Sequence, residues 1–259
     1  MFYAMIKNKI KHSLEIDVDF FDIEELNTRA LKEEYDVSKI SFSLLSEIAQ
    51  RYVLLNSGSA LGKACGPLLI SNSHTSIETD KNYHCLIPGV NTTANFLLST
   101  LYPEITSKEE TIFSDIEDKL LAHEADLGLV IHETRFTYLE RGLNKIADLG
   151  EEWEAKTGFP IPLGGIVANR SLAPELIQEV DQAIRKSIEY AYQHEDEALD
   201  FCKTYAQDMR PEIMKSHIEL YVNEYSLDLG EIGRNTIRFM LDKMKETRQF
   251  DQIPSDIFI

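Results

Sequence analysis

Two hydrophobic periods share this chain, and the dominant one changes near Ser171. Before that point, short apolar runs alternate with helical stretches. Phe2 to Ile10 has the spacing of a short helix, with Phe2, Met5 and Ile6 on one face. Leu14, Ile16, Val18 and Phe20 alternate with Glu15, Asp17 and Asp19, the pattern of a half-buried strand. Asp22 is placed to cap a helix running to about Lys32. Val37 to Ser41 predicts a strand, followed by a helix from about Phe42 to Arg51. Cys65 to Ile70 and Cys85 to Gly89 predict two more strands, and Asn91 to Asn95 opens a helix through Leu101. Glu109 to His123 reads as helix, with Ile112, Ile116, Leu120 and Leu121 on its apolar face. Leu127 to Ile131 has the length of a buried strand rather than a helix, and it breaks into polar residues at His132. Short strands follow at residues 145–148 and 163–168, around a brief acidic helix, Glu151 to Lys156.

After Ser171 the spacing becomes helical. Leu176, Val180, Ile184 and Ile188 mark one helix, and three more are predicted over Glu195–Gln207, Pro211–Tyr225 and Glu231–Lys245. Ile218, Tyr221 and Val222 look like the core face of the second of these. Strand–helix alternation with a helical end predicts an α/β fold of two lobes with a cleft between them. One lobe would combine residues 1–87 with 162–259, and the other would be 88–161.

The 259 residues suffice for such a pair of cores. The net charge of −18 argues against a nucleic-acid backbone or an anionic membrane surface as partner. A small-molecule substrate remains, and a local pocket can still be positive. The three cysteines, Cys65, Cys85 and Cys202, form no CxxC pair, which suits a reducing cytosol. The first residues lack a signal-peptide pattern, and no apolar run approaches a membrane span. Nothing in the pattern specifies an oligomeric state.

Several chemistries are excluded by spacing. None of His123-Glu124, His132-Glu133 and His194-Glu195 continues to the second histidine of a zinc helix, so no metal is expected. Ser57-Gly-Ser-Ala-Leu-Gly62 lacks both the Gly-Lys-Ser/Thr ending of a phosphate loop and the Gly-x-Ser-x-Gly of a nucleophile elbow. A tight turn is the better reading there. His132 is the best single candidate. It lies one step past a strand, where open α/β sheets bind ligands, and an imidazole can act as acid or base near neutrality. The competing reading is a strand cap bonded to a neighbouring carbonyl. Arg135 and Thr137 lie in the same loop, Lys39 and Ser41 at another strand–helix switch, and Thr92 and Thr93 at a third. Threonine at a helix start is an N-cap, and free amides there also hold anions.

At these residues the chain resembles the 1,4-dihydroxy-6-naphthoate synthase family of the futalosine route to menaquinone. The matching segments are Asp36-Val-Ser-Lys-Ile-Ser41, Ser57 to Gly62 with Cys65-Gly-Pro-Leu-Leu69, and Pro88-Gly-Val-Asn-Thr-Thr-Ala94. They continue with Gly128-Leu-Val-Ile-His-Glu-Thr-Arg-Phe-Thr-Tyr138, Asp148-Leu-Gly-Glu-Glu-Trp153, Pro162-Leu-Gly-Gly-Ile166 and His217 to Gly230. The histidine-containing segment and Tyr221-Val-Asn-Glu224 are specific, whereas the glycine turns are not. The resemblance implies a type II periplasmic-binding-protein fold used as a cytosolic lyase without a cofactor. Its substrate would be cyclic dehypoxanthinyl futalosine. It assigns the proton acceptor to His132 and substrate contacts to Lys39, Ile40, Ser41, Thr92 and Thr93. It also implies a strand and a Ser-Pro-Cys-Pro-Asn-Asp-Thr-Phe loop ahead of the Phe2-Tyr-Ala helix at which this sequence starts. Without that strand, unpaired backbone is expected to cost stability and activity. Two other readings share the fold. One is a solute receptor without chemistry. The other is the related chorismate dehydratase, against which the His-Glu-Thr-Arg-Phe segment argues.

Overall fold

A computed structural model describes residues 1–78, 80–205, 210–247 and 253–259. The chain divides into two units, Met1–Gly62 with Pro162–Ile259, and Lys63–Ile161. The expected division placed residues 63–87 with the N-terminal segment. They belong instead to the middle unit, because both strands in that stretch pair with strands of 127–148.

Unit 1 opens with helices α1 (Tyr3–Ile6) and α2 (Ile23–Leu31). Strand β1 (Val37–Ser41) follows, then a 3-10 turn into α3 (Leu45–Ile48), and strands β2 (Tyr52–Leu54) and β3 (Ala60–Gly62). Unit 2 holds β4 (Leu68–Ser71), β5 (His84–Ile87), α4 (Thr93–Leu101), β6 (Ser107–Glu110), α5 (Ile116–Leu121) and β7 (Leu127–Val130). It ends with α6 (Thr134–Thr137), β8 (Asn144–Asp148) and α7 (Leu149–Thr157). Strand β9 (Ile161–Asn169) returns the chain to unit 1, which finishes with α8 (Pro174–Gln193), α9 (Glu195–Cys202), α10 (Pro211–Tyr221), α11 (Glu224–Leu227) and α12 (Gly230–Thr247). Gln207, the expected end of the α9 region, lies outside the described residues.

In unit 1, β9 is the central strand, with β1 on one side and β2 and β3 also pairing with it. β1 runs antiparallel to β9, with Ile40 opposite Gly165 and Ser41 opposite Gly164. Helix α8 starts with Pro174 in its first turn, where a missing N–H costs nothing. It lays Ile177, Val180, Ile184 and Ile188 on Val53, Leu55, Ile166 and Ala168. The expected core residue Leu176 is 38% exposed, and Ile177 takes its place. On α10 the buried residues are Ile213 and Met214 rather than Ile218 and Tyr221, while Val222 packs against the α8 core. Leu14 to Phe20 forms no strand, although its alternation is regular. Alternation makes a strand only where a neighbouring edge takes up its N–H and C=O groups, and no described strand pairs with this segment.

In unit 2 the strand order is β6-β5-β7-β4-β8, with β5 parallel to β6 and β7. Helix α5 covers the sheet with Ile116 and Leu120 against Leu68, Ile70, Leu86 and Val130. The expected helix over Glu109–His123 begins later. Ser107–Glu110 is an edge strand, held by parallel pairing to β5, and Ile112 is 62% exposed. A polar edge strand has no hydrophobic alternation to betray it. No described helix is long and apolar enough to cross a membrane.

Candidate active site

In unit 1, β1 carries Lys39, Ile40 and Ser41. The pleat sends Ile40 into the core and leaves Lys39 and Ser41 on the opposite face. Ser41 is gripped twice by Asn27 of α2, a fully buried residue. The Ser41 N–H donates to Asn27 Oδ1 at 2.9 Å, and Asn27 Nδ2 donates to Ser41 Oγ at 3.1 Å. Because a backbone N–H can only donate, the first bond fixes which way the Asn27 amide faces. The Ser41 hydroxyl oxygen is therefore an acceptor for Asn27, and its own O–H can donate to another group. Asn27 Nδ2 also reaches Glu24 Oε2 at 3.2 Å, and Asp22 caps the helix by accepting from the Glu24 and Glu25 N–H groups. Asn27 was not legible as a site residue, since a polar residue inside a helix reads as surface.

His217 of α10 is the second residue in unit 1 that the pattern left without a role. Its ring tilts against Tyr221, with centroids 4.6 Å apart. Burial, and then the Lys39 ammonium, push its pKa down to about 4. Lys39 and His217 thus share one electrostatic neighbourhood, with the imidazole neutral. A depressed histidine means that the unfolded chain binds more protons between pH 4 and 6.5. The associated stability is complete above about pH 6.5 and is lost as pH falls toward about 4, by up to roughly 3 kcal/mol. His217→Gln should flatten this part of a denaturant-midpoint-versus-pH curve. An unchanged slope would show that His217 does not cause it.

In unit 2 the expected residues follow the carboxyl ends of two neighbouring strands. β5 and β7 are adjacent and parallel. Thr92 and Thr93 follow the carboxyl end of β5, and His132 follows that of β7. Thr92 is the N-cap of α4: its hydroxyl accepts from the Asn95 N–H at 3.2 Å and donates to Gly89 O at 2.7 Å. Both threonines are buried. The first turn of α4 carries no acidic side chain, so no carboxylate of its own offsets the positive end of its dipole. The third parallel strand, β6, ends beside them, where the Thr111 N–H donates to Ile87 O at 2.9 Å. Two residues on, Phe113 meets the His132 ring edge-on, with centroids 5.2 Å apart. Phe113 escaped notice because its stretch read as helix.

Arg135, in the same loop as His132, is held by groups within unit 2. Its guanidinium donates to Gly66 O at 2.5 Å, to Ala64 O at 3.0 Å and to the Asp148 carboxylate. Among the described residues, no group of three or more His, Cys, Asp or Glu could hold a metal ion.

The profile of the menaquinone-biosynthesis family matches residues 1–246. A 1,4-dihydroxy-6-naphthoate synthase of Thermus thermophilus is 38% identical over 237 residues, covering 92% of this chain and 86% of its own. That of Streptomyces coelicolor is 36% identical over 249 residues, covering 94% and 87%. A crystal structure of an Archaeoglobus fulgidus protein superposes with a TM-score of 0.90 at 31% identity, over 95% of this chain and 91% of that one. The alkanesulfonate-binding protein of Xanthomonas axonopodis, solved bound to MOPS, gives 0.66 at 9% identity, over 92% and 84%, a likeness of fold alone. The fold is thus the periplasmic-binding-protein type, and the chain belongs to the menaquinone-biosynthesis family as an enzyme, a lyase akin to the 1,4-dihydroxy-6-naphthoate synthases.

Proposed function

We propose that this chain cleaves cyclic dehypoxanthinyl futalosine to 1,4-dihydroxy-6-naphthoate, in the futalosine route to menaquinone, with His132 as general base. The observation that carries the reading is that His132 and the N-terminus of α4, whose first turn carries no acidic side chain, follow the carboxyl ends of adjacent parallel strands, β7 and β5. A carboxylate-bearing substrate held at the start of α4 would bring its ring system toward the imidazole. The base would take a proton from that ring system or its hydroxyls, and formation of the aromatic naphthoate would help drive the cleavage. Thr92 and Thr93 are assigned to the substrate at this end. Lys39, Ile40 and Ser41 are assigned to it on the evidence of the same family segments, and the Ser41 O–H suits a hydroxyl or carboxylate. We place the reaction in the cytoplasm, with which the free thiols of Cys65, Cys85 and Cys202 agree.

The test is direct. The purified protein is incubated with cyclic dehypoxanthinyl futalosine, with and without a chelator, and products are separated by mass. Naphthoate should form at the same rate in both. Binding without cleavage would replace this reading with the receptor, and loss of turnover on chelation would bring in a metal.

A further inference from the structure

His132 occupies an unusual backbone position. It has φ +58, in the left-handed region that residues with a Cβ seldom adopt. Such a conformation persists only where the surroundings over-determine it. The local structure is slight: β7 ends at Val130 and α6 is a single turn. Local bonds close the loop, among them Thr134 Oγ1 to Ile131 O, the Arg135 N–H to His132 O at 3.3 Å and the Phe136 N–H to Glu133 O at 2.9 Å.

Phe113 packs on the His132 ring, and a further restraint on the loop comes from the Arg135 side chain. Its three acceptors lie on two other segments of unit 2. Ala64 and Gly66 are among the first residues of the unit, and Asp148 is the N-cap of α7. Those segments are locked to each other. A Cβ on Gly66 would sit 2.2 Å from Gly150 N, so the two backbones touch with no room for a side chain. Asp148 Oδ1 is held by the Gly150 and Glu151 N–H groups at 2.9 and 3.2 Å, while Oδ2 receives Arg135. The side chains of Arg135 and Asp148 are only 13% and 1% exposed. The guanidinium fork suits this task, because its donors diverge in a fixed plane toward three acceptors.

We infer that Arg135 is a positioning residue for His132. It clamps the loop of the proposed base to the chain's entry into unit 2 and to the start of α7, so that the imidazole is presented in one orientation. The inference rests on the proposed role of His132, but its first test does not need turnover.

That test is the proton–carbon NMR spectrum of the imidazoles. The chain has seven histidines, and His132→Asn identifies the resonance of His132. In Arg135→Lys, which keeps the charge and loses the fork, the His132 resonance should shift or broaden while the other six stay in place. Asp148→Asn keeps an N-cap residue but removes the opposing charge, so it should move the same resonance with the fold intact. An unmoved His132 resonance in a folded Asp148→Asn or Arg135→Lys protein overturns the inference. With a working parent, Arg135→Lys should lower kcat by up to about 10²-fold, as small misplacements of a catalytic group do, with KM little changed. Combined with His132→Asn it should add almost nothing further. Additive losses, or a rise in KM that accounts for the whole effect, would make Arg135 merely structural. A parent with no turnover would count against the proposed reaction, and the spectra would still decide the clamp.

Discussion

Asparagine in place of His132 is expected to lower kcat by about 10²–10⁴-fold, the usual contribution of a general base, while the protein stays folded. Asparagine keeps polarity and can hydrogen-bond, and it tolerates the left-handed backbone at this position better than most residues. The change therefore removes basicity with little added strain. Substrate affinity should change less than turnover, because Thr92, Thr93 and the β1 residues remain. In the parent, kcat/KM should fall on the acid side as an imidazole takes up its proton, and that limb should vanish in the variant. Turnover of cyclic dehypoxanthinyl futalosine at the parent rate by His132→Asn would place the base elsewhere.

The position of His132 just past a buried strand was legible because a strand end is a local feature. Five apolar residues broken by His-Glu-Thr-Arg specify a buried strand and a polar loop in one stretch of chain. The helix cap at Thr92 was legible for the same reason, as a hydroxyl after a Pro-Gly turn. What was hidden depends on neighbours distant in sequence. Asn27 matters only because β1 passes beside α2, 14 residues on. Arg135 looks like a loop cation until Ala64, Gly66 and Asp148 are brought to it. Ser107–Glu110 is a strand only by its pairing with β5, and Leu14–Phe20 shows the converse, a regular alternation with no described strand beside it. The unit boundary at Gly62 was missed because β4 and β5 look alike in either lobe. Only their pairing with β7 and β8 assigns them.

Gly164→Ala should damage the other group of expected substrate residues. The Gly164-Gly165 pair lies in β9 opposite Ser41 and Ile40. A Cβ on Gly164 would fall 2.4 Å from Ile40 O, which is backbone and cannot rotate away. β1 has little room to retreat, since Ile40 is fully buried beneath it and Asn27 holds Ser41. The neighbouring glycine is crowded as well, with Leu54 and Phe42 atoms 2.8 and 2.9 Å from where its Cβ would lie. One strand must shift, and the ladder at Lys39, Ile40 and Ser41 loosens. Overpacking of this kind costs about 1–3 kcal/mol, and the absence of a flexible partner puts this site at the upper end. The melting temperature should fall by roughly 5–10 °C. The kinetic signature should be the reverse of His132→Asn: KM rises while kcat in the saturated enzyme falls less, because the proposed base lies in the unit that was not altered. A variant with the parent's melting temperature and KM would mean that β1 can back away from β9 at little cost, and that Lys39, Ile40 and Ser41 do not need this register to hold the substrate.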